Sequence, residues 1–555
     1  MGSSPKWLWL VCVIALVTAC SPVVAGPELP RPAQSVATVS IPPTTTTTVE
    51  PSPPPITCPT EFCVKYELRE GAEWSDGRPV RAADFAATVD YFRDPLTGFG
   101  TQGYDLVREV QVLDPLNALV VFDQPYGPWQ TLFERLVPEG TDPSSVIPSS
   151  GPYEFVDWVR GDRIEVVRLD GWWGDSDLRS GAPAGDVVEI TFLFMPDVEE
   201  MVESLLSGDV DVIGVRPTPE IVEQLAAVEE VDFALAPGPF WEHIDFHFDD
   251  PTLAQDWVRR AIALAIDRSH IVDQTVGLLD PGSPQLDNTV WMTGSAPYES
   301  HLEGVTHDPV AAESLLVDNG CERADDGIQV CGATRMSFVW TSTNDDPARI
   351  ATFESVREDL EAIGIELVPD LRSPSQFVTR GHLFGGAGVW QMANFSWKDL
   401  LDPAATDQRF ECAESDLNVN AYCSEAADAA LEVARFETDP DRRAAAYNEV
   451  DRLYLDDLAV IPLYQKPTML AWTSELSGPI PNYTRSSDLW NVAAWTGMSS
   501  IVVALPGEPT TLDPRSTADD AANAVLSTLM YGAFSMAPDQ TQVPLVVSSA
   551  EIIEG

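Results

Sequence analysis

The chain has 555 residues, and its 87 Asp and Glu outnumber its 32 Lys and Arg, for a formal net charge of −55. A surface of that sign repels phosphate and argues against nucleic acid as a partner. With 44% hydrophobic residues the chain is long enough for two or three lobes around large cores, and the acidity serves solubility or an acidic site for cationic ligands.

In chain order, the first element is a targeting segment. Lys6 gives it a positive start, and Trp7 to Val17 is an apolar stretch too short to span a bilayer comfortably. Val17-Thr18-Ala19-Cys20 resembles the lipobox of bacterial lipoproteins. That implies removal of residues 1–19 and lipidation of Cys20; the alternative is an ordinary signal peptide with an incidental Cys. Residues 20–57, with IPPTTTTTVEPSPPP in their middle, are too rich in Pro and Thr for a core and read as an extended tether. The expected picture is a monomeric body held through a lipid anchor on the outer face of the cell membrane.

Of eight Cys, Cys12 falls in the targeting segment and Cys20 is the lipid site. The other six stand in close pairs, Cys58/Cys63, Cys321/Cys331 and Cys412/Cys423, and local pairing is the simplest of fifteen connectivities. Disulfides fit an extracytoplasmic location, and the lack of any CxxC or Cys/His cluster removes a zinc reading.

The body opens with CVKYELREGAEWSDGRPVRAADFAATVDYF, residues 63–92. A strand ends at Arg69, a turn carries Gly71 and Asp76-Gly77, and Ala82 to Phe92 has helical spacing. Leu68, Arg69, Gly71, Trp74, Ser75, Asp76, Gly77, Pro79, Val80, Ala82 and Asp84 together resemble a signature of the family 5 extracellular solute-binding proteins. These are the peptide/nickel-type receptors of ABC importers. Segments 149–174, 189–213, 240–272, 307–321, 459–467 and 488–495 continue the resemblance in order, so it covers nearly everything from Cys58 onward.

The resemblance implies an α/β, two-lobed periplasmic-binding-protein-like fold of type II, cluster C. Ligand would bind between the lobes, with no catalysis and no cofactor, and the closed form would meet a membrane permease. Oligopeptide is the leading solute; nickel complexes, oligosaccharides and other small solutes stay open. Ligand contacts are implied at Trp390, Gln391, Asn394 and Trp397 in GVWQMANFSWKDLLDP. Trp241 and Glu242 in PFWEHIDF, and Glu508 and Thr510 in LPGEPTTLDP, would supply two further walls. The acid that meets a peptide's amino terminus in oligopeptide-binding relatives has no clear match: Asn394 falls near it, and Asp399 or Asp402 belongs equally well to the turn.

One segment is out of order. IVVALPGEPTTLDPRS, residues 501–516, reads as the family's first strand, yet it follows the usual last one. The expected lobes are therefore 58–239 completed by 471–555, and 240–470, in a circularly permuted chain; a truncated tandem is the alternative. Other motifs are weaker. GFGTQG (98–103) follows RDPLT rather than a strand, which removes a dinucleotide site. His243 and His247 share a strand face but lack an obvious third metal ligand. A secreted hydrolase would need a nucleophile with a base, and no GxSxG or phosphate loop occurs. A degenerate envelope receptor without transport is the remaining alternative.

Overall fold

The computed structural model describes residues 56–93, 103–142, 146–174, 176–302, 304–398, 402–412, 417–484, 487–515 and 519–554. Cys20, the targeting segment, most of the tether, Asp399 and all of GFGTQG except Gly103 lie outside them. Gly103 has φ 89°, and the ring of Tyr126 stands where its Cβ would be, so this glycine serves close packing.

Among the described residues the main sheet has ten strands. Their order is Glu366–Arg372, Ser337–Thr343, Met392–Lys398, Val231–Phe246, Val460–Thr473, Val212–Val215, Ser500–Leu505, Glu189–Phe194, Arg163–Arg168 and Tyr153–Val159. Two strands are unusually long, Val231–Phe246 and Val460–Thr473, and they pair antiparallel along the middle. Register shifts at Pro462/Tyr464 and Gln465/Pro467 interrupt that pairing, because Pro462 and Pro467 have no N–H to give. Separate cores flank the sheet. One gathers Ile244, Ile262, Phe338, Trp340, Val450 and Leu463, another Tyr153, Phe192, Ile501, Val503, Leu526 and Trp495.

Ser500–Leu505 fills the middle of the sheet. It runs parallel to Glu189–Phe194 on one side and to Val212–Val215 on the other. Its alternating Ile501 and Val503 are buried, as a β-branched run between two partners requires.

A second sheet, of four antiparallel strands, has the order Val547–Glu554, Phe62–Leu68, Asn117–Phe122, Val107–Asp114. Phe62 lies opposite Glu554, so the end of the described chain borders the Cys58–Cys63 loop. Here the signature residues have physical tasks. The Trp74 indole donates to Asp84, which also accepts from the backbone N–H groups of Arg81 and Glu139. The Arg69 guanidinium donates to the carbonyls of Pro544 and Leu545.

Helix starts repeat one device, an acid or threonine cap followed by Pro at the first helical position. Thr218-Pro219, Asp308-Pro309, Asp346-Pro347 and Asp439-Pro440 all use it. Among the described residues no helix is long and apolar enough to cross a membrane.

The three local disulfides are present: Cys58–Cys63, Cys321–Cys331 and Cys412–Cys423. The last two close loops of 10 and 11 residues. Replacing Cys321 and Cys331 together by Ser is expected to lower unfolding free energy by about 2–3 kcal/mol in urea melts. A double variant as stable as the parent would show the loop to be already ordered without its bridge.

Candidate functional site

A cavity of about 820 Å³ opens beside the middle of the main sheet. Its floor is Val212 and Gly214, Thr468 and Leu470, and Val503 to Leu505, from three adjacent strands. One wall carries Tyr104, Tyr126, Leu132, Glu134 and Arg135; another carries Phe240 and Lys398, paired at the ends of their strands. Asn482 to Thr484 and Ser487 to Leu489 form a rim with Asp520, Asn523 and Met536. The lining is mixed, with flat rings among placed polar groups, as in sites that hold small molecules.

Most of its charges are already answered. Lys398 Nζ lies 3.3 Å from Asp520, joining the Met392–Lys398 strand to the start of the Asp520–Leu529 helix. Arg135 donates to Asn523 Oδ1 and the Pro514 carbonyl. Asp402 holds Arg443 through both oxygens, at 2.6 and 2.9 Å. Asp488 is different. Its Oδ1 accepts from the Asn482 N–H at 2.8 Å, and among the described residues no cation pairs with it. Burial pushes its carboxyl up to about 6, against the smaller opposing effect of that hydrogen bond.

A carboxyl that protonates more readily folded than unfolded contributes fully to stability below about pH 4, and the contribution is lost as pH rises through about 6. Asp488→Asn, which keeps an oxygen for Asn482, should therefore melt higher than the parent at about pH 7.5 without ligand, by on the order of 2 kcal/mol. The gap should close toward about pH 4. Ligand-free thermal unfolding across this range checks it; a less stable variant at the upper pH would reveal an attractive partner for the carboxylate.

The eight residues expected from sequence stand elsewhere, and none of them lines this cavity. Trp390 is wholly buried, its indole donating to the Leu383 carbonyl and its ring against His247. Gln391 bonds the backbone at Val339 and Ala387. Asn394 donates to Glu242 and to the His243 carbonyl. Glu242 is itself buried among Arg349 and Lys466. Trp241 packs on Leu286 and Met292, and Trp397 on Phe395 and His243. Glu508 turns outward to Trp158, Arg160 and Gly161, while Thr510 bonds Asp519, the cap of the Asp520–Leu529 helix.

The structure thus brings Trp241, Glu242, Asn394 and Trp397 together on paired strands but puts Phe240 and Lys398, one position from the two tryptophans, on the cavity. Strand alternation accounts for the tryptophans, while Glu242 and Asn394 share the parity of Phe240 and Lys398 but lie farther along the strands. Sequence reading missed Asp488, Gly214, Tyr126 and Arg135. A signal existed only at Gly214, an isolated glycine inside the Val212-Ile213-Gly214-Val215 run. His243 bonds Asp245, and His247 accepts from the Asp249 N–H, so the two histidines serve separate local contacts.

Residues 62–407 match the family described as bacterial extracellular solute-binding proteins, family 5 Middle. The oligopeptide-binding protein OppA of Mycobacterium tuberculosis is 26% identical over 438 residues, 75% of this chain and 71% of that protein. Among solved structures, the periplasmic EDTA-binding protein EppA aligns with TM-score 0.66 at 20% identity, covering 79% of this chain and 84% of its own. AppA of Bacillus subtilis, in complex with a nonapeptide, aligns with TM-score 0.56 at 18% identity, covering 79% and 88%. These likenesses give the fold: a two-lobed, type II α/β binding-protein body.

Proposed function

The chain belongs to the bacterial extracellular solute-binding proteins of family 5, and on that premise we propose that it captures an oligopeptide or similar small solute in the 820 Å³ cavity. The observation that carries the reading is the composition of the cavity wall. It joins segments from 103–135 and 482–536 to Phe240, Lys398 and Asp402, residues of the two proposed lobes, 58–239 with 471–555 and 240–470. A solute seated there touches both lobes, so its binding energy favours their closure by hinge motion. The Val231–Phe246 and Val460–Thr473 strands run from one proposed lobe to the other and would carry the hinge.

The closed form would be read by a membrane permease, with the body tethered through residues 20–57 to a lipidated Cys20. The protein would act by binding alone, as a monomer. The permuted order belongs to the same reading: the Ser500–Leu505 strand supplies from the far end of the chain what the family places first.

A thermal-shift screen of the purified body against peptide pools of two to nine residues tests this. A cognate pool at about a hundred times Kd should add about 2.7 kcal/mol to stability. Flat melting midpoints with every peptide pool, together with no solute carried through purification, would contradict it.

A further inference from the structure

Pro125-Tyr126-Gly127-Pro128 leads from the second sheet to the cavity wall, where Tyr126 and Pro128 line the space and Gly127 does not. Gly127 lies outside the left-handed region, so no turn geometry requires a glycine there. Close approach does. A Cβ would stand 2.6 Å from the Glu437 carbonyl oxygen, 2.6 Å from Arg443 Nε and 2.8 Å from Arg443 Cδ. All three atoms belong to the proposed lobe 240–470, whereas Gly127 belongs to the other. The Gly127 N–H also donates to the Arg435 carbonyl at 3.4 Å. Arg435 stands in the last turn of the Glu425–Phe436 helix, where carbonyls lack partners inside the helix. The obstacle is firm, because the Glu437 oxygen is backbone and Arg443 is buried with both terminal nitrogens held by Asp402. Lys398 and Asp520 make a further contact between the proposed lobes, exposed and therefore weak.

We propose that Gly127 is the seat on which the second lobe closes: its missing side chain lets Arg443 and the end of the Glu425–Phe436 helix come down onto residues 125–128. The proposal rests on the solute-capture reading above and adds a positioning residue that governs closure without touching the solute. Prolines on either side of the Tyr126-Gly127 step fix the segment beforehand, so little chain freedom is lost when the lobe lands. A side chain at 127 holds the lobes apart yet leaves its own lobe to fold, since the three atoms nearest its Cβ all lie in the other one. Capture draws on the closed form, so apparent affinity falls in proportion to the closed fraction.

The test compares the whole body with its Gly127→Ala and Gly127→Val variants. Lys398 and Asp520, 3.3 Å apart, give a readout of closure that needs no solute, because a zero-length carbodiimide joins them through an amide. Lys65 and Lys466 are the other lysines from residue 56 onward, so the product is mapped without ambiguity by mass spectrometry of the digest. The parent should form this cross-link, and Gly127→Val should lower its yield about fivefold or more, with Gly127→Ala between. Retention of peptide pools of two to nine residues after rapid gel filtration should fall about tenfold in Gly127→Val, at an unchanged urea midpoint. Equal cross-linking of parent and valine variant overturns the seat, as does a parent that never cross-links with or without the pools. A valine variant without a cooperative urea transition also overturns it, because the contact then belongs to a folding core. Cross-linking that depends on Gly127 in a parent that retains no peptide upholds the seat and contradicts peptide capture.

Discussion

Ending the chain after Ser499 is expected to abolish cooperative folding, although the cut removes no complete domain. It takes away the Ser500–Leu505 strand, which is bonded on both sides, so its neighbours would be left with buried unpaired backbone groups. It also removes the Asp520–Leu529 helix and the Val547–Glu554 strand that covers the edge of the second sheet. Ile501, Val503, Leu505, Val525, Leu526 and Leu529 are all buried. Six such side chains account for roughly 9–18 kcal/mol of burial, as much as the whole margin of a typical domain at about 5–15. Circular dichroism melts of the truncated chain check this. A sharp transition at the full-length midpoint would mean that the terminal segment is dispensable. The reciprocal experiment reorders the chain to begin at Ser500, run through Gly555 into Cys58 and end at Ser499. If the present order is a permutation, that chain should fold with the same three disulfides.

The largest effect of a single substitution is expected at Glu242. Its carboxylate is buried where the two long strands meet, 2.9 Å from Arg349 and 2.6 Å from Lys466, with Asn394 donating at 3.1 Å. Burial alone would raise its pKa, but the charges of Lys466 and Arg349 outweigh burial and hold the carboxyl below its usual value. Glu242→Gln keeps the shape and removes the charge, leaving two buried cations with Asp346 as their remaining acid. Breaking one partner of such a buried network costs about 3–5 kcal/mol. Because the folded carboxyl is the stronger acid, its contribution is present above the usual carboxylate range and lost as pH falls through the folded value. The gap between parent and variant should therefore be full near neutrality and shrink in acid. Urea unfolding at several pH values measures it; a variant within about 0.5 kcal/mol of the parent would show the cations to be well solvated.

Much of the fold was legible because local rules and global fold agree. The Ile501 run alternates as a buried central strand should, the Asp-Pro and Thr-Pro pairs start helices, and three close Cys pairs close three loops. The signature around Trp74 and Asp84 was legible for a structural reason, since those residues bond each other inside the second sheet's core. The cavity was harder to read. Its walls come from segments hundreds of residues apart, so no spacing links Tyr126, Gly214, Phe240 and Asp488. Large aromatics at Trp241, Trp390 and Trp397 drew the reading toward ligand contact, but the structure packs Trp241 and Trp397 from their strands and Trp390 from the loop before Met392. Asp488 opens the 488–495 segment of the family resemblance, yet nothing in its local spacing marks a cavity residue, and its character comes from the burial that the fold imposes.

Native mass spectrometry of the gently purified body tests the account most directly, since the account holds that the cavity is made to carry a solute. The predicted result is a population heavier than the bare chain by one peptide or similar small solute. That molecule should be released on denaturation and taken up again from a peptide pool or from its own isolated fraction. A body that emerges at its bare mass, and stays there with every peptide pool offered, would contradict the account.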